Sequence, residues 1–200
     1  MSNEKIILGI DPGTTIMGFG LIKVENKQMK FVQMNELLLQ KYKDPYTKLK
    51  LIFERTIELI DTYHPDEIAI EAPFFGKNVQ SMLKLGRAQG VAMAAGLSRQ
   101  IPITEYLPKK IKMAITGNGN ASKEQVARML QSTLGLKSLP KNLDSTDGLA
   151  AAVCHFYNEG KIDVGKSYSG WDAYVKQNSP PTPKGGVGNT PIVNLRKKKS

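Results

Sequence analysis

The chain has 200 residues, 40% of them hydrophobic, which is enough for one compact domain or for one domain with a tail. No apolar run approaches the ~18 residues that a membrane-spanning helix needs, and the first residues lack the layout of a secretory signal, so we expect a soluble protein. The single cysteine, Cys154, excludes a disulfide framework and a paired-thiol zinc site and favours a reducing, cytoplasmic setting.

The positive charge is unevenly distributed along the chain. The net charge is +10, but residues 161–200 hold 8 basic and 2 acidic residues and leave only +4 for residues 1–160. A surplus of this kind favours a polyanionic partner such as nucleic acid, and it is about equally compatible with an ordinary basic surface.

Three consecutive antiparallel strands are predicted first, from KIILGI, IMGFGLIKV and MKFVQMNELLL, with DPGTT and ENKQ between them. Asp44 and Pro45 then mark the start of an amphipathic helix, PYTKLKLIFERTIELIDTY. Its apolar face is predicted to carry Leu49, Ile52, Phe53, Ile57 and Ile60. A short buried strand, EIAI, follows and ends on Glu71.

A long helix is predicted over residues 78–99, where Gly86, Gly90 and Ala94 form a stripe of small residues. Packing of this stripe on the domain's own sheet is favoured over a dimer seam. IPITEY is a fifth strand, PKKIKMAIT a short helix and GNGNA a loop. The next helix lies between Ser122 as N-cap and Gly135 as C-terminal stop, and a last helix covers about residues 144–157.

After about residue 167 the apolar pattern stops in a stretch rich in proline and glycine, SPPTPKGGVGNTP, and the chain closes on RKKKS. We therefore predict an α/β domain with a mixed sheet over residues 1–167 and a basic, disordered tail over residues 168–200.

Four acidic residues stand at element ends. Asp11 and Glu71 each close a predicted strand, and their carboxylates meet at one edge of the sheet if the two strands are adjacent and parallel. Asp144 and Asp147 are three residues apart, so both project from one face of the last helix. Such a cluster repels itself and predicts a site for a divalent cation such as Mg²⁺, which prefers oxygen ligands.

Each acid also has a purely structural explanation. Asp11 is a turn former, and Asp144 and Asp147 fit a helix cap and a first turn. Glu71 is harder to explain in this way, because glutamate is a poor strand residue. The DPGTT stretch also resembles the first phosphate loop of actin-like ATPases, but those folds need a second domain and a second phosphate loop.

Five separated stretches, ILGIDPGTTIMGFG, AIEAPFFGKN, LKLGRAQGVA, GNGNASKEQV and DSTDGLAAA, resemble in this order the RuvC family of the RNase H-like nuclease superfamily. The resemblance implies an RNase H-like fold, a five-stranded mixed sheet flanked by helices. It also implies an endonuclease that resolves four-way (Holliday) DNA junctions in recombination and repair. The family works by paired symmetric nicks that depend on Mg²⁺ and leave 5′ phosphates.

The resemblance further implies roles for individual residues. Asp11, Glu71, Asp144 and Asp147 correspond to the catalytic carboxylates, which hold two Mg²⁺ per site, with Mn²⁺ as an alternative. DNA binding falls on Phe74, Lys77, Lys112 and Lys123. Phe74 corresponds to an aromatic residue that unstacks a base, with Phe75 as the alternative. The wider DNA-facing set of lysines is Lys77, Lys84, Lys109, Lys110, Lys112 and Lys123.

The implied partners are junction DNA, a second copy of the chain in a homodimer, and the branch-migration proteins of the same complex; no membrane is expected. Gly148 departs from the alanine common in the family and predicts a looser first turn of the last helix. Two alternatives remain: a module that binds branched DNA without cutting it, and a related nuclease that cuts RNA in a hybrid.

Overall fold

A computed structural model of the chain describes residues 4–73, 78–140 and 142–158 and contains a five-stranded mixed sheet in the order β3-β2-β1-β4-β5. The strands are β1 (Lys5–Asp11), β2 (Ile16–Glu25), β3 (Gln28–Leu38), β4 (Glu67–Glu71) and β5 (Ile103–Tyr106). The first three are antiparallel neighbours, whereas β4 is parallel to β1 and β5 is parallel to β4. The predicted mixed sheet is therefore confirmed.

Five helices flank this sheet at the positions that the sequence predicts. They are α1 (Pro45–Tyr63), α2 (Val79–Ser98), α3 (Pro108–Thr116), α4 (Lys123–Leu134) and α5 (Asp144–Asn158). The Asp44 carboxylate caps α1 by accepting a hydrogen bond from the amide of Thr47. A capping box of Ser122 and Gln125 starts α4, and Gly135, with φ of 62°, ends it.

Strands β1, β2 and β4 bury both of their faces, so the described fold has two apolar layers. On one face Ile7 and Ile22 pack beneath α3, α4 and α5. On the other face Leu8, Ile10 and Phe19 pack beneath α1 and α2. Because side chains alternate along a strand, the consecutive apolar residues of β1 supply both layers, which is why this strand reads as a continuous apolar run.

Helix α5 lies unusually close to β1 and β2, because glycines face it. A Cβ added at Gly20 would lie 2.2 Å from the Cα of Leu149, and one added at Gly9 would lie 2.0 Å from the carbonyl oxygen of Gly148. Gly148 itself packs on Gly18: a Cβ added at Gly148 would lie 2.7 Å from the carbonyl oxygen of Gly18. Glycine at position 148 permits this close contact, and the looser first turn predicted there stays a prediction.

The buried face of α1 is rotated from the predicted one. The fully buried residues are Ile52, Thr56, Leu59 and Ile60, whereas Phe53 is 40% exposed. A run of apolar residues wider than the contact surface leaves one edge of the helix in solvent, and periodicity alone does not say which edge.

The prediction that the small-residue stripe of α2 packs on the sheet is wrong. Gly86, Gly90 and Ala94 are exposed, and a Cβ added at either glycine meets nothing within 4 Å. The helix instead packs on the sheet through Ala88 and Ala92, on its opposite side. The stripe therefore lies on the outer surface of the described fold.

The chain divides into two units, Met1–Ile162 and Asp163–Ser200, and the described residues all belong to the first. The predicted boundary at residue 167 and the predicted tail lie outside the described residues, as do Phe74, Phe75 and Lys77. No helix in the described ranges is long and apolar enough to span a membrane.

Candidate active site

The parallel pairing of β1 and β4 brings Asp11 and Glu71 to the same edge of the sheet. Ile10 pairs with Ile70 in register, and Asp11 and Glu71 are the next residue of each strand. The negative charge of Glu71 acts on the Asp11 carboxyl strongly enough to raise its pKa. The predicted meeting of these two strand ends is thus confirmed.

The first turn of α5 adds two further carboxylates to this edge. A Cβ at Gly18, the residue that pairs with Asp11, would lie 2.2 Å from the carbonyl oxygen of Asp144, so the helix start rests on the strand end. The charges of both Asp144 and Asp147 raise the pKa of Asp11, and the charge of Asp147 raises the pKa of Glu71. All four predicted carboxylates therefore belong to one electrostatic cluster.

Burial makes this cluster a poor place for negative charge. Loss of hydration raises the pKa of Asp11 well above its usual value, and Glu71 and Asp147 add to that shift. Burial, together with the charge of Asp147, raises the pKa of Glu71 to about 7. Burial also raises the pKa of Asp147, although Lys123 opposes the shift. Buried carboxylates of this kind repel one another when ionised, and a bound cation relieves that repulsion.

Lys123 supplies one positive charge to the cluster. It is the first residue of α4, and its ammonium lies 2.6 Å from Oδ2 of Asp147 and also donates a hydrogen bond to Asp144. Burial lowers the pKa of Lys123, but these two hydrogen bonds outweigh it and raise the pKa overall. The hydrogen bond from Lys123 lowers the pKa of Asp144.

Within residues 4–73, 78–140 and 142–158, no three His, Cys, Asp or Glu side chains converge closely enough to hold a metal ion. The Lys123 ammonium occupies the space between Asp144 and Asp147 instead. A donor set made only of carboxylate oxygens fits a hard divalent cation. The Lys123 ammonium, which contacts both Asp144 and Asp147, shows that these carboxylates bind a positively charged group.

A cleft of about 520 Å³ opens beside the carboxylates, between α3, α4 and α5. Its polar lining consists of Glu71, Lys109, Lys112, Asn120, Lys123 and Asp147. The charge of Lys112 acts on Glu71 and Asp147 and partly opposes the rise in the pKa of each. Three of the predicted DNA-facing lysines thus line this cleft, whereas Lys110 lies over the ring of Tyr106, 5.4 Å from its centre.

Two polar residues of the site were not predicted from the sequence. Asn120 lines the cleft, and Gln89 of α2 supports the end of β4 from the other face of the sheet. The Gln89 amide donates to the carboxylate of Glu105 at 2.8 Å and to the carbonyl oxygen of Glu71 at 3.4 Å. The available signal was a glutamine on the alanine-rich side of α2.

We expect the metal-free protein to lose stability as the pH rises from about 5 to 8. Since the pKa of folded Glu71 is about 7 against an ordinary 4.5, the folded state holds more protons than the unfolded chain in this window. The free energy of unfolding therefore falls with rising pH. In EDTA, Glu71→Gln should be more stable than wild type at pH 8 and nearly equal to it at pH 5, as measured by urea unfolding. A constant difference at both pH values would contradict this.

Comparison with known proteins identifies the family. The sequence profile described as "Crossover junction endodeoxyribonuclease RuvC" matches residues 7–155. The protein of that name from Christiangramia forsetii is 85% identical over 178 residues, which cover 89% of this chain and 93% of the relative. The protein of the same name from Bacteroides fragilis is 61% identical and covers 88% of this chain and 94% of its own length.

Solved structures agree with this assignment. Thermus thermophilus RuvC superposes with a TM-score of 0.70 at 30% identity, over 78% of this chain and 96% of that one. The same protein in complex with Holliday junction substrate gives a TM-score of 0.71 at 28% identity, over 78% and 94% of the two chains. The yeast mitochondrial Holliday junction resolvase Ydc2, 13% identical with a TM-score of 0.58, shares the fold. The chain therefore belongs to the RuvC family of crossover junction endodeoxyribonucleases.

Proposed function

We propose that this protein resolves four-way DNA junctions by placing paired, symmetric nicks across them, with Asp11, Glu71, Asp144 and Asp147 as the catalytic and metal-binding residues. The observation that carries the proposal is the cluster of four carboxylates, three of them with a raised pKa, beside a cleft lined by lysines. Acids of this kind weaken DNA binding unless a cation joins them, so their placement in a basic cleft favours a nuclease over a module that only binds.

The RuvC family comprises metal-dependent nucleases, and we propose Mg²⁺ as the metal, two ions per site, with Mn²⁺ as a substitute. A metal held there would supply an activated water and charge neutralisation at the departing 3′ oxygen, and cleavage of that bond would leave 5′ phosphates. The four carboxylates would hold it, because each offers hard oxygen donors.

The lysines of the cleft are suited to the phosphate that is cut. Lys112 lies close enough to Glu71 and Asp147 to act on both, and Lys123 already contacts Asp144 and Asp147. An ammonium in such a place stabilises the charge that develops on phosphoryl oxygens. Lys123 would exchange its carboxylate partners for the phosphate when DNA and metal enter.

Phe74 and Lys77 complete the proposed DNA contacts, although they lie outside the described residues. Both stand in the sequence between Glu71 and the start of α2 at Val79, within six residues of Glu71. We assign stacking on an unpaired base to Phe74 and contact with a backbone phosphate to Lys77, since an aromatic ring stacks on any base.

Two symmetric nicks require two active sites, and we propose that a homodimer provides them. The exposed stripe of Gly86, Gly90 and Ala94 supports this, because exposed Leu83 and Leu97 flank it and small residues allow two helices to approach closely. The proposed assembly also includes the branch-migration proteins of the same complex and acts in the cytoplasm.

Introducing a charge into this stripe should separate the dimer. We expect Gly90→Glu to give a monomer in analytical ultracentrifugation, since a buried unpaired carboxylate opposes helix contact. Thr133→Glu, at an exposed position of α4, is the matched control and should sediment as wild type does. A Gly90→Glu protein that remains dimeric would place the interface elsewhere.

The proposed tail, residues 168–200, is expected to be dispensable for cutting. Its basic residues would add affinity for any DNA, because phosphate contacts carry no sequence or shape information. A chain ending at residue 169 should cut junctions at wild-type rates at low salt and bind linear duplex more weakly. Loss of cleavage at low salt would show that the tail belongs to the catalytic unit.

The function is tested by incubating the purified protein with a synthetic four-way junction, a linear duplex and an RNA/DNA hybrid, each with Mg²⁺ or with EDTA. Paired Mg²⁺-dependent nicks confined to the junction support the proposal. Cleavage of the hybrid alone would keep the metal site and change the substrate. Tight junction binding without any cleavage would favour the binding module.

A further inference from the structure

A second cleft, of about 340 Å³, lies beside the DPGTT turn. Three parts of the chain line it: Thr14 and Thr15 of the turn, the start of α1, and the first half of α2. Its charged lining consists of Lys43, Lys48, Lys84 and Arg87, and none of the described acidic side chains lines it. The cleft therefore concentrates positive charge from residues far apart in the sequence.

These positive charges lack carboxylate partners in the part of the chain that the structure describes. Lys48 donates a hydrogen bond to the carbonyl oxygen of Thr14 at 2.8 Å, which leaves its charge uncompensated. No ion pair joins Lys43, Lys84 or Arg87 to a described acid. The acid next to Lys43 in the sequence, Asp44, is engaged as the α1 cap. An anion entering the cleft would meet four cations.

This cleft lies on the α1 and α2 side of the sheet, whereas the carboxylate cleft lies on the α5 side. The two nevertheless share one edge. Thr14 follows Asp11 by three residues, so the two are at most ~11 Å apart. Ala88, which lines the second cleft, precedes Gln89, whose amide contacts the carbonyl oxygen of Glu71. Asp11 and Glu71 thus lie close to residues of both basic clefts.

We propose that the second cleft binds backbone phosphates of the junction within about three nucleotides of the phosphate that is cut, since a strand rises ~3.4 Å per nucleotide. The proposal rests on the proposed function and adds a binding site to it. Arg87 offers a planar fork that matches phosphate, and the lysines act as point charges. Held on both sides of the carboxylates, the strand cannot slide along the active site, and binding here is independent of base sequence.

Two changes on α2 test the cleft, with a matched pair elsewhere. Lys84→Gln with Arg87→Gln removes two charges from the cleft, and Lys27→Gln with Lys30→Gln removes two at the β2–β3 hairpin, at the opposite edge of the sheet. In EDTA we expect the cleft pair to weaken junction binding about tenfold or more at ~0.1 M salt. The salt slope, which is the steepness of log binding constant against log salt concentration, should fall by ~2. The hairpin pair should change affinity less than about threefold. Equal losses in both pairs would overturn the proposal.

Lys43→Gln removes a charge of the same cleft that lies just before α1 and not on α2. It should lower the salt slope by ~1. A loss confined to the α2 changes would mean that α2, by its dimer contacts or its own charge, is responsible, and the cleft would be excluded.

Neutral methylphosphonates placed singly near the cleavage point then locate the contact. Neutralising the phosphate held by the cleft should lower the junction affinity of wild type severalfold. The junction affinity of the Lys84→Gln/Arg87→Gln protein should not change, because that protein has already lost the contact. Equal losses in both proteins at every position would overturn the proposal. Failure of the proposed function is distinguishable, because wild type would then leave the junction uncut in Mg²⁺.

Discussion

Asp11→Asn is expected to abolish junction cleavage while junction binding survives. The change removes one carboxylate from the cluster formed with Glu71 and Asp147 and leaves the lysines of both clefts in place. Because asparagine is a weaker ligand for a hard cation, we expect the cleavage rate to fall about 10³-fold or more, which corresponds to at least ~4 kcal/mol of transition-state stabilisation. The rate is measured in single-turnover reactions with Mg²⁺.

Binding should behave in the opposite way. The pKa of Asp11 is raised by burial and by its acidic neighbours, so a neutral amide relieves repulsion in the metal-free protein. Junction affinity in EDTA should equal or exceed that of wild type. Asp61→Asn is the matched control, since Asp61 is an exposed partner of Arg99 away from the site, and it should cut normally. If Asp11→Asn loses binding together with cleavage while its circular dichroism spectrum is native, the metal-site role of Asp11 is wrong.

The second large effect is expected from Gly20→Ala, which places one methyl group between β2 and α5. The new carbon would lie 2.2 Å from the Cα of Leu149 and 2.4 Å from its backbone nitrogen, so the helix itself must move. Backbone atoms have no alternative rotamers that relieve such a contact. We expect the free energy of unfolding to fall by about 3 kcal/mol or more, as measured by urea denaturation.

The same displacement should reduce cleavage, because α5 carries Asp144 and Asp147. Thr133→Ala, at an exposed position of α4 away from the small-residue stripe, is the control and should unfold and cut as wild type does or be slightly more stable, since alanine favours a helix over threonine. Both variants are compared at one protein concentration with their oligomeric state checked. A Gly20→Ala protein as stable as wild type would show that α5 does not approach the sheet as closely as described.

Alternating glycines in β1 and β2 were the sequence signal for this contact, but their meaning emerged only with α5 in place. In a strand, glycines such as Gly9, Gly18 and Gly20 are equally compatible with a weak position and with close backbone approach, so they made no prediction of their own. Gly148 read as a defect of the helix, and the structure makes it a requirement of the contact with Gly18. Helix propensity takes no account of the strand that packs against the helix. It therefore predicts that Gly148 destabilises α5, whereas the packing against Gly18 requires a glycine there.

The order and type of the elements were predictable because they depend on local signals. Apolar runs bounded by turn residues defined the strands, Asp44 and Ser122 marked two helix starts, and acids at the ends of β1, β4 and α5 marked the site. The motif order placed the chain in the RuvC family, which the comparisons confirmed. Each of these features depends on neighbouring residues or on motif order and needs no knowledge of what packs against it.

Only the tertiary structure decided which surfaces are covered and which charges meet. It left the stripe of Gly86 and Gly90 exposed, turned Phe53 partly into solvent, and joined Lys84 and Arg87 to Lys43 in one basic cleft. It also placed Lys123 between Asp144 and Asp147. These outcomes depend on contacts between residues distant in the chain, and burial and electrostatic energy are properties of those contacts rather than of any single stretch of sequence.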